Sequence, residues 1–179
     1  MHNIRIKSII ELLEELISEK IEISDVLNEE IKNIAEYNKR LNAFITIFDE
    51  DSIHEISRIK GMGEAKTFIE KKSYETLKST QNSDFSLFGI PLTVKDNIFI
   101  GGRRTTAGSK AFQKFVPAVN AEVVDNILLK GCLPLGKTNL HELAMGATSS
   151  SSFFGPVRNP VDSSRISGGS GGRPAVCGA

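Results

Sequence analysis

Ile6, Ile9, Ile10, Leu13, Leu16 and Ile17 recur at helical spacing, with Glu11, Glu14 and Glu15 between them. Apolar residues three and four apart share one side of a helix, so this pattern predicts an amphipathic helix. A second helix is expected from Ser24, read as its cap, with Leu27, Ile31, Ile34 and Ala35 on one stripe. Ala43-Phe-Ile-Thr-Ile-Phe48 is β-branched and aromatic and predicts a strand. A further helix is expected from Ser52 to Ile59, interrupted by Gly61 and Gly63. Residues 70–84 are polar and aperiodic, which suits a surface loop.

The texture changes at Phe88. Ile90, Leu92 and Val94 alternate with Pro91, Thr93 and Lys95, as in a strand with one buried face. Gly101-Gly102 breaks the next apolar stretch. Asn120 is read as the cap of a helix carrying Val123, Val124, Ile127 and Leu128, and Gly131 as its C-terminal glycine. Cys132-Leu-Pro-Leu135 predicts a short buried strand, and Leu140 to Met145 a short helix. Residues 148–172 hold 8 serines and 5 glycines, but Phe153, Phe154, Pro156, Val157, Pro160 and Val161 stand among them. A flexible linker has no use for those residues, so an ordered irregular loop is expected.

The chain has 179 residues, near the length of one domain. Hydrophobic residues make up 40% and charged residues 25%, ordinary values for a globular protein. No apolar run approaches the roughly 18 residues of a membrane helix, so a helical membrane-spanning role is set aside. The start, Met1-His-Asn-Ile-Arg5, carries no secretory core, and the cytoplasm is the expected location. Cys132 and Cys177 form no metal-binding pattern, and His2, His54 and His141 are scattered, so no metal or cofactor is expected. Net charge is zero but uneven. Residues 1–86 hold 17 acidic and 12 basic residues, and residues 87–179 hold 5 and 10. A mildly basic half can attract an anionic partner, and it equally balances an acidic, solvated front.

Gly131-Cys-Leu-Pro-Leu-Gly-Lys137-Thr138 has the spacing of a phosphate-binding loop. That mechanism needs a strand before the first glycine and a helix from the lysine, so that backbone N–H groups converge on phosphate. Here the order is inverted and bulky apolar residues fill the loop. Nucleotide binding is not expected.

Two features carry candidate chemistry. Lys95 closes an apolar strand within Gly89-Ile-Pro-Leu-Thr-Val-Lys-Asp-Asn97. Ser170 lies in Ser167-Gly-Gly-Ser-Gly-Gly172, where glycines let backbone approach a substrate closely. Each alone has a bland alternative: a solvent-facing lysine and an unstructured tail. Their order with Thr105-Thr-Ala-Gly-Ser109, Leu135-Gly-Lys-Thr-Asn-Leu-His-Glu-Leu-Ala-Met-Gly146, Phe154-Gly-Pro-Val-Arg-Asn-Pro160 and Arg165 is more specific. It resembles the amidase signature family, most closely the A subunits of glutamyl-tRNA(Gln) amidotransferases and their amidase homologues. The resemblance is strongest over residues 88–170, and Leu41-Asn-Ala-Phe-Ile-Thr46 shares it.

The resemblance implies an α/β fold, the N-terminal part of a mixed sheet flanked by helices. It implies hydrolysis of a carboxamide C–N bond by a Ser–Ser–Lys triad. Lys95 would be the triad lysine, buried beside Ser170, and Ser170 the middle serine, preceded by a cis peptide bond. Glutamine is the expected small carboxamide, with amidotransferase partner subunits and tRNA as the expected partners. Two departures stand out. The family's Gly-Gly-Ser-Ser-Gly-Gly-Ser is here Gly-Gly-Ser-Gly-Gly-Arg173-Pro174, one serine short. Ser170 could therefore answer to the first or the second serine of that motif. The family's nucleophilic serine also follows that motif by roughly two dozen residues, which passes Ala179. Residues 1–179 are thus expected to be the N-terminal portion of one amidase domain. It would comprise a helical lead-in over 1–69, a polar loop over 70–87 and an α/β region over 88–179. Such a piece should be inactive and marginally folded by itself. The alternative is a non-catalytic remnant or partner-binding module.

Overall fold

A computed structural model describes residues 8–57 and 87–170. The expected loop at 70–84, Gly61, Gly63, Arg173, Pro174 and Cys177 lie outside the described residues.

Helix α1 spans Ile9–Ile17 and opens on a capping box: Ser8 accepts from Glu11 N while the Glu11 carboxylate accepts from Ser8 N. Two of the first turn's orphan N–H groups are satisfied in this way. Its buried residues are Leu12 and Leu16, whereas Ile9, Ile10 and Ile17 are exposed. The inward stripe is therefore offset from the isoleucine-rich one expected. Helix α2 spans Ile23–Leu41. Ser24 falls inside it. Asp25 instead accepts from Glu22 N (3.1 Å), closing the first turn from the third helical position.

Strand β1 is Phe44–Ile47, followed by helix α3, Glu50–Ser57. Strand β2 is Pro91–Lys95, helix α4 is Glu122–Leu128 and strand β3 is Leu133–Thr138. Ala121, not Asn120, directly precedes α4; the Asn120 side chain accepts from Gly101 N at 2.7 Å, bracing the glycine turn. Gly131 takes a φ of +86° and its N–H reaches Leu128 O, ending the helix as expected.

The three strands form one sheet in the order β1–β3–β2. β1 and β3 are antiparallel, with Phe44 opposite Thr138, Thr46 opposite Lys137 and Ile47 opposite Gly136. One extra β1 residue, Ile45, falls between the first two pairs, a bulge. The Ile45 carbonyl is taken by Arg104 instead (3.2 Å). Between β2 and β3, Leu133 N donates to Ile90 O and Asp96 N to Thr138 O, so both strands ascend together. Parallel neighbours need a crossover, which residues 96–132 with α4 supply. The sheet is mixed, and β3, central in it, is buried along its whole length. It extends three residues past the expected Leu135, through Gly136, Lys137 and Thr138.

The chain divides into two compact units. One comprises Met1–Lys32, Phe48–Leu92 and Asp125–Leu135. Its described core is apolar: Leu12, Leu16, Val26, Leu27, Ile53, Phe88 and Leu133 are among its buried residues. The other comprises Asn33–Ile47, Thr93–Val124 and Gly136–Ala179. Here Asp96, Thr105, Thr106, Ser109, Lys137, Thr138, Asn139 and Ser149 are buried alongside Phe44, Val94, Ile100 and Leu140. Buried polar groups cost free energy unless they are paired, so this second unit is where a built site is expected.

Candidate active site

Lys95 ends β2, and its Nζ donates to Ser170 Oγ at 2.9 Å. Two features separated by 75 residues in the sequence are therefore in direct contact, as expected. Lys95 is half-buried rather than enclosed. Desolvation still lowers its ammonium from the ordinary lysine value, because partial removal of water disfavours the charged form.

Ser170 is held from its backbone side. His141 N donates to Ser170 O (3.2 Å), and the buried Ser149 Oγ does so at 3.4 Å. The peptide bond Gly169–Ser170 is cis. Gly169 packs so tightly that an added Cβ would stand 2.5 Å from Ala147 C and Thr148 N. The expected helix at Leu140–Met145 is a single 3-10 turn, Glu142–Ala144, in which Leu143 and Ala144 both have positive φ. Leu143 N bonds to Ala107 O at 2.8 Å, which turns the chain away from a helical path.

Behind Lys95 lies a buried ion pair. Lys137 Nζ is 3.5 Å from Asp96 Oδ1, and both side chains are 0% exposed. Asp96 Oδ2 accepts from Thr106 N (2.9 Å) and from Thr106 Oγ1. Lys137 Nζ also donates to Ile98 O (2.6 Å) and Thr105 Oγ1 (2.9 Å). Burial pushes the Lys137 ammonium down to about 8, with the Asp96 carboxylate pulling it back up. The phosphate-loop spacing at Gly131–Thr138 therefore covers a helix-terminating turn and a buried strand, and its lysine already has three oxygen partners. No phosphate nest forms there.

The protein-family model described as Amidase matches residues 25–179. The chain belongs to the amidase signature family. It is 35% identical over 164 residues to the A subunit of the glutamyl-tRNA(Gln) amidotransferase of Sulfurisphaera tokodaii, covering 92% of this chain and 31% of that protein. The counterpart from Lactiplantibacillus plantarum is 35% identical over 162 residues, 90% of this chain and 30% of that one. The chain thus spans about a third of the length of the curated relatives it matches. Among solved structures, a bacterial aryl acylamidase of the amidase signature enzymes superposes with a TM-score of 0.78 at 25% identity, covering 95% of this chain and 32% of that one. A second amidase crystal structure gives 0.74 at 33%, covering 96% and 36%.

Within this amidase signature chain, sequence reasoning missed Asp96 and Lys137 as a pair. The available signal was an Asp just past the end of one apolar strand and a Lys following another apolar run, Cys132–Leu135, since buried charges need partners. The phosphate-loop spacing drew attention to Lys137 for the wrong chemistry. His141, one of the scattered histidines, meets Ser170 through its backbone N–H, which no side-chain pattern reveals.

Proposed function

We propose that Lys95 and Ser170 are the proton-handling pair of an amidase that hydrolyses a carboxamide C–N bond. The observation that carries this is the 2.9 Å Nζ–Oγ contact. A neutral Lys95 amine takes the Ser170 proton as Ser170 takes one from the attacking hydroxyl. That hydroxyl adds to the amide carbon. Collapse breaks the C–N bond, and the proton returns through Ser170 to the leaving nitrogen as ammonia or an amine. Water then releases the acyl group by the same relay. The lowered Lys95 pKa favours the neutral amine this requires.

In the family, the attacking hydroxyl belongs to a serine roughly two dozen residues after the Gly-Gly-Ser motif. By the order of its motifs, residues 1–179 are the N-terminal portion of one such domain. Glutamine is the proposed substrate, in a cytoplasmic amidotransferase setting with partner subunits and tRNA, by analogy with the amidotransferase relatives named above. The test is ammonia release from glutamine and from simple primary amides. It compares the 179-residue chain alone with the chain supplied with the C-terminal portion of one of those relatives. Turnover only in the second sample, with glutamine preferred, is expected. Turnover by the chain alone would overturn the assignment of the nucleophile, and indifference to glutamine would overturn the substrate.

A further inference from the structure

We infer that Asp96 and Lys137 are a positioning pair for the Lys95–Ser170 contact: their buried pairing ties the end of the Lys95 strand to the strand and turn that hold Ser170. This rests on reading Lys95 and Ser170 as the proton relay.

A buried ion pair is poor evidence for stability alone, because well-packed apolar residues often serve as well or better. Its geometry points elsewhere. Asp96 directly follows Lys95 and opens the turn after β2, while its N–H still bonds to Thr138 O in β3. Anchoring the Asp96 carboxylate therefore sets the roll of the strand end, and with it the direction in which Lys95 projects. The anchor is thorough on one side: Thr106 supplies two hydrogen bonds to Oδ2. On the other side, among the described residues, Oδ1 has no hydrogen-bond partner and faces the Lys137 cation at 3.5 Å.

Lys137 in turn joins segments. It reaches Ile98 O in the turn after β2 and Thr105 Oγ1 in the following loop. The backbone continues the path. Asp96 N bonds to Thr138 O and Ala107 N to Asp96 O; Leu143 N bonds to Ala107 O, and His141 N to Ser170 O. Each link is 2.8–3.2 Å. Lys95 adjoins the Asp96–Lys137 end of this bonded frame, and Ser170 meets its His141 end. A relay tolerates little slack, since a displacement of about 1 Å can cost on the order of 10²-fold in rate.

The test reads the contact itself. The Lys95 side-chain amine is titrated by NMR with and without Ser170→Ala, in the wild-type, Lys137→Met, Thr106→Val and Thr106→Ser backgrounds. Ile53→Ala, in the apolar core of the other unit, is the control for general destabilisation. Ser170→Ala is expected to move the Lys95 midpoint in the wild type, Thr106→Ser and Ile53→Ala. That shift should fall by half or more in Lys137→Met and Thr106→Val. If Lys137→Met does not fold, the near-isosteric Thr106 pair decides. An undiminished shift in Thr106→Val, or an equal loss in Ile53→Ala, would overturn the inference. The titration needs no turnover. Ammonia release insensitive to Lys95→Ala, with the coupling behaving as described, would sink the amidase assignment and leave the positioning role standing.

Discussion

Lys137 and Asp96 face each other at 3.5 Å with neither side chain reaching solvent. Removing one partner leaves a buried charge uncompensated. Lys137→Met should therefore destabilise the protein by about 3–5 kcal/mol, read as a loss in chemical denaturation. A loss below about 1 kcal/mol would mean that water reaches Asp96 after all.

The same lysine gives a pH dependence of definite sign. Its value falls from 10.5 in the unfolded chain to about 8 in the folded protein. Between those values the unfolded chain binds more protons, so the stability contributed by this group rises with pH. That contribution is complete above the unfolded value and is lost as pH falls toward 8. The stability gap between wild type and Lys137→Met should widen from pH 7.5 to pH 10, by up to about 1.4 kcal/mol per unit. Denaturation curves at three pH values check this, and a gap that narrows would contradict it.

Gly169 and Asn42 test the backbone around the site. An alanine Cβ at 169 would strike the Ala147–Thr148 backbone at 2.5 Å. Gly169→Ala should cost about 1–3 kcal/mol, as overpacking does, and displace Ser170. Asn42 has a φ of +50°, and its Nδ2 donates to Phe154 O (2.8 Å) and Pro156 O (3.2 Å). Asn42→Gly and Asn42→Ala lose the same bonds, but only alanine strains the left-handed backbone. Asn42→Ala should be the less stable by about 1 kcal/mol in thermal melts. Equal losses would show that backbone strain plays no part at this position.

Lys137 is already bound by protein oxygens, so Gly131–Thr138 should not bind ATP. Calorimetric titration with MgATP should show no saturable micromolar binding. Such binding, abolished by Lys137→Ala, would contradict the placement of β3.

Much of this was legible in residue order. Alternation at Ile90, Leu92 and Val94 marked β2, and Gly131 marked the end of α4, because both signals are local. The juxtaposition of Lys95 with Ser170 came from the motif resemblance, since no local rule joins residues 75 positions apart. What escaped was set partly by competition between neighbouring caps and partly by longer-range bonds. Ser24 and Asn120 have capping chemistry, yet Asp25 closes α2 and Asn120 braces Gly101. The stretch Leu140–Met145 has helical composition, but the bond from Leu143 N to Ala107 O draws it into a single turn. The phosphate-loop spacing at Gly131–Thr138 was set aside on element order, but the pairing of Lys137 with Asp96 was not legible, because spacing alone carries no burial.

In the proposed mechanism Lys95 and Ser170 pass one proton as a unit. The most direct measurement is ammonia release from glutamine by Lys95→Ala, Ser170→Ala and the double variant, in the chain supplied with the C-terminal portion of an amidotransferase relative. Residues acting as a unit lose their effect together, so each single variant should fall by about 10²–10⁴-fold and the double variant no further. Independent, multiplying losses, or turnover that survives Lys95→Ala, would contradict the relay.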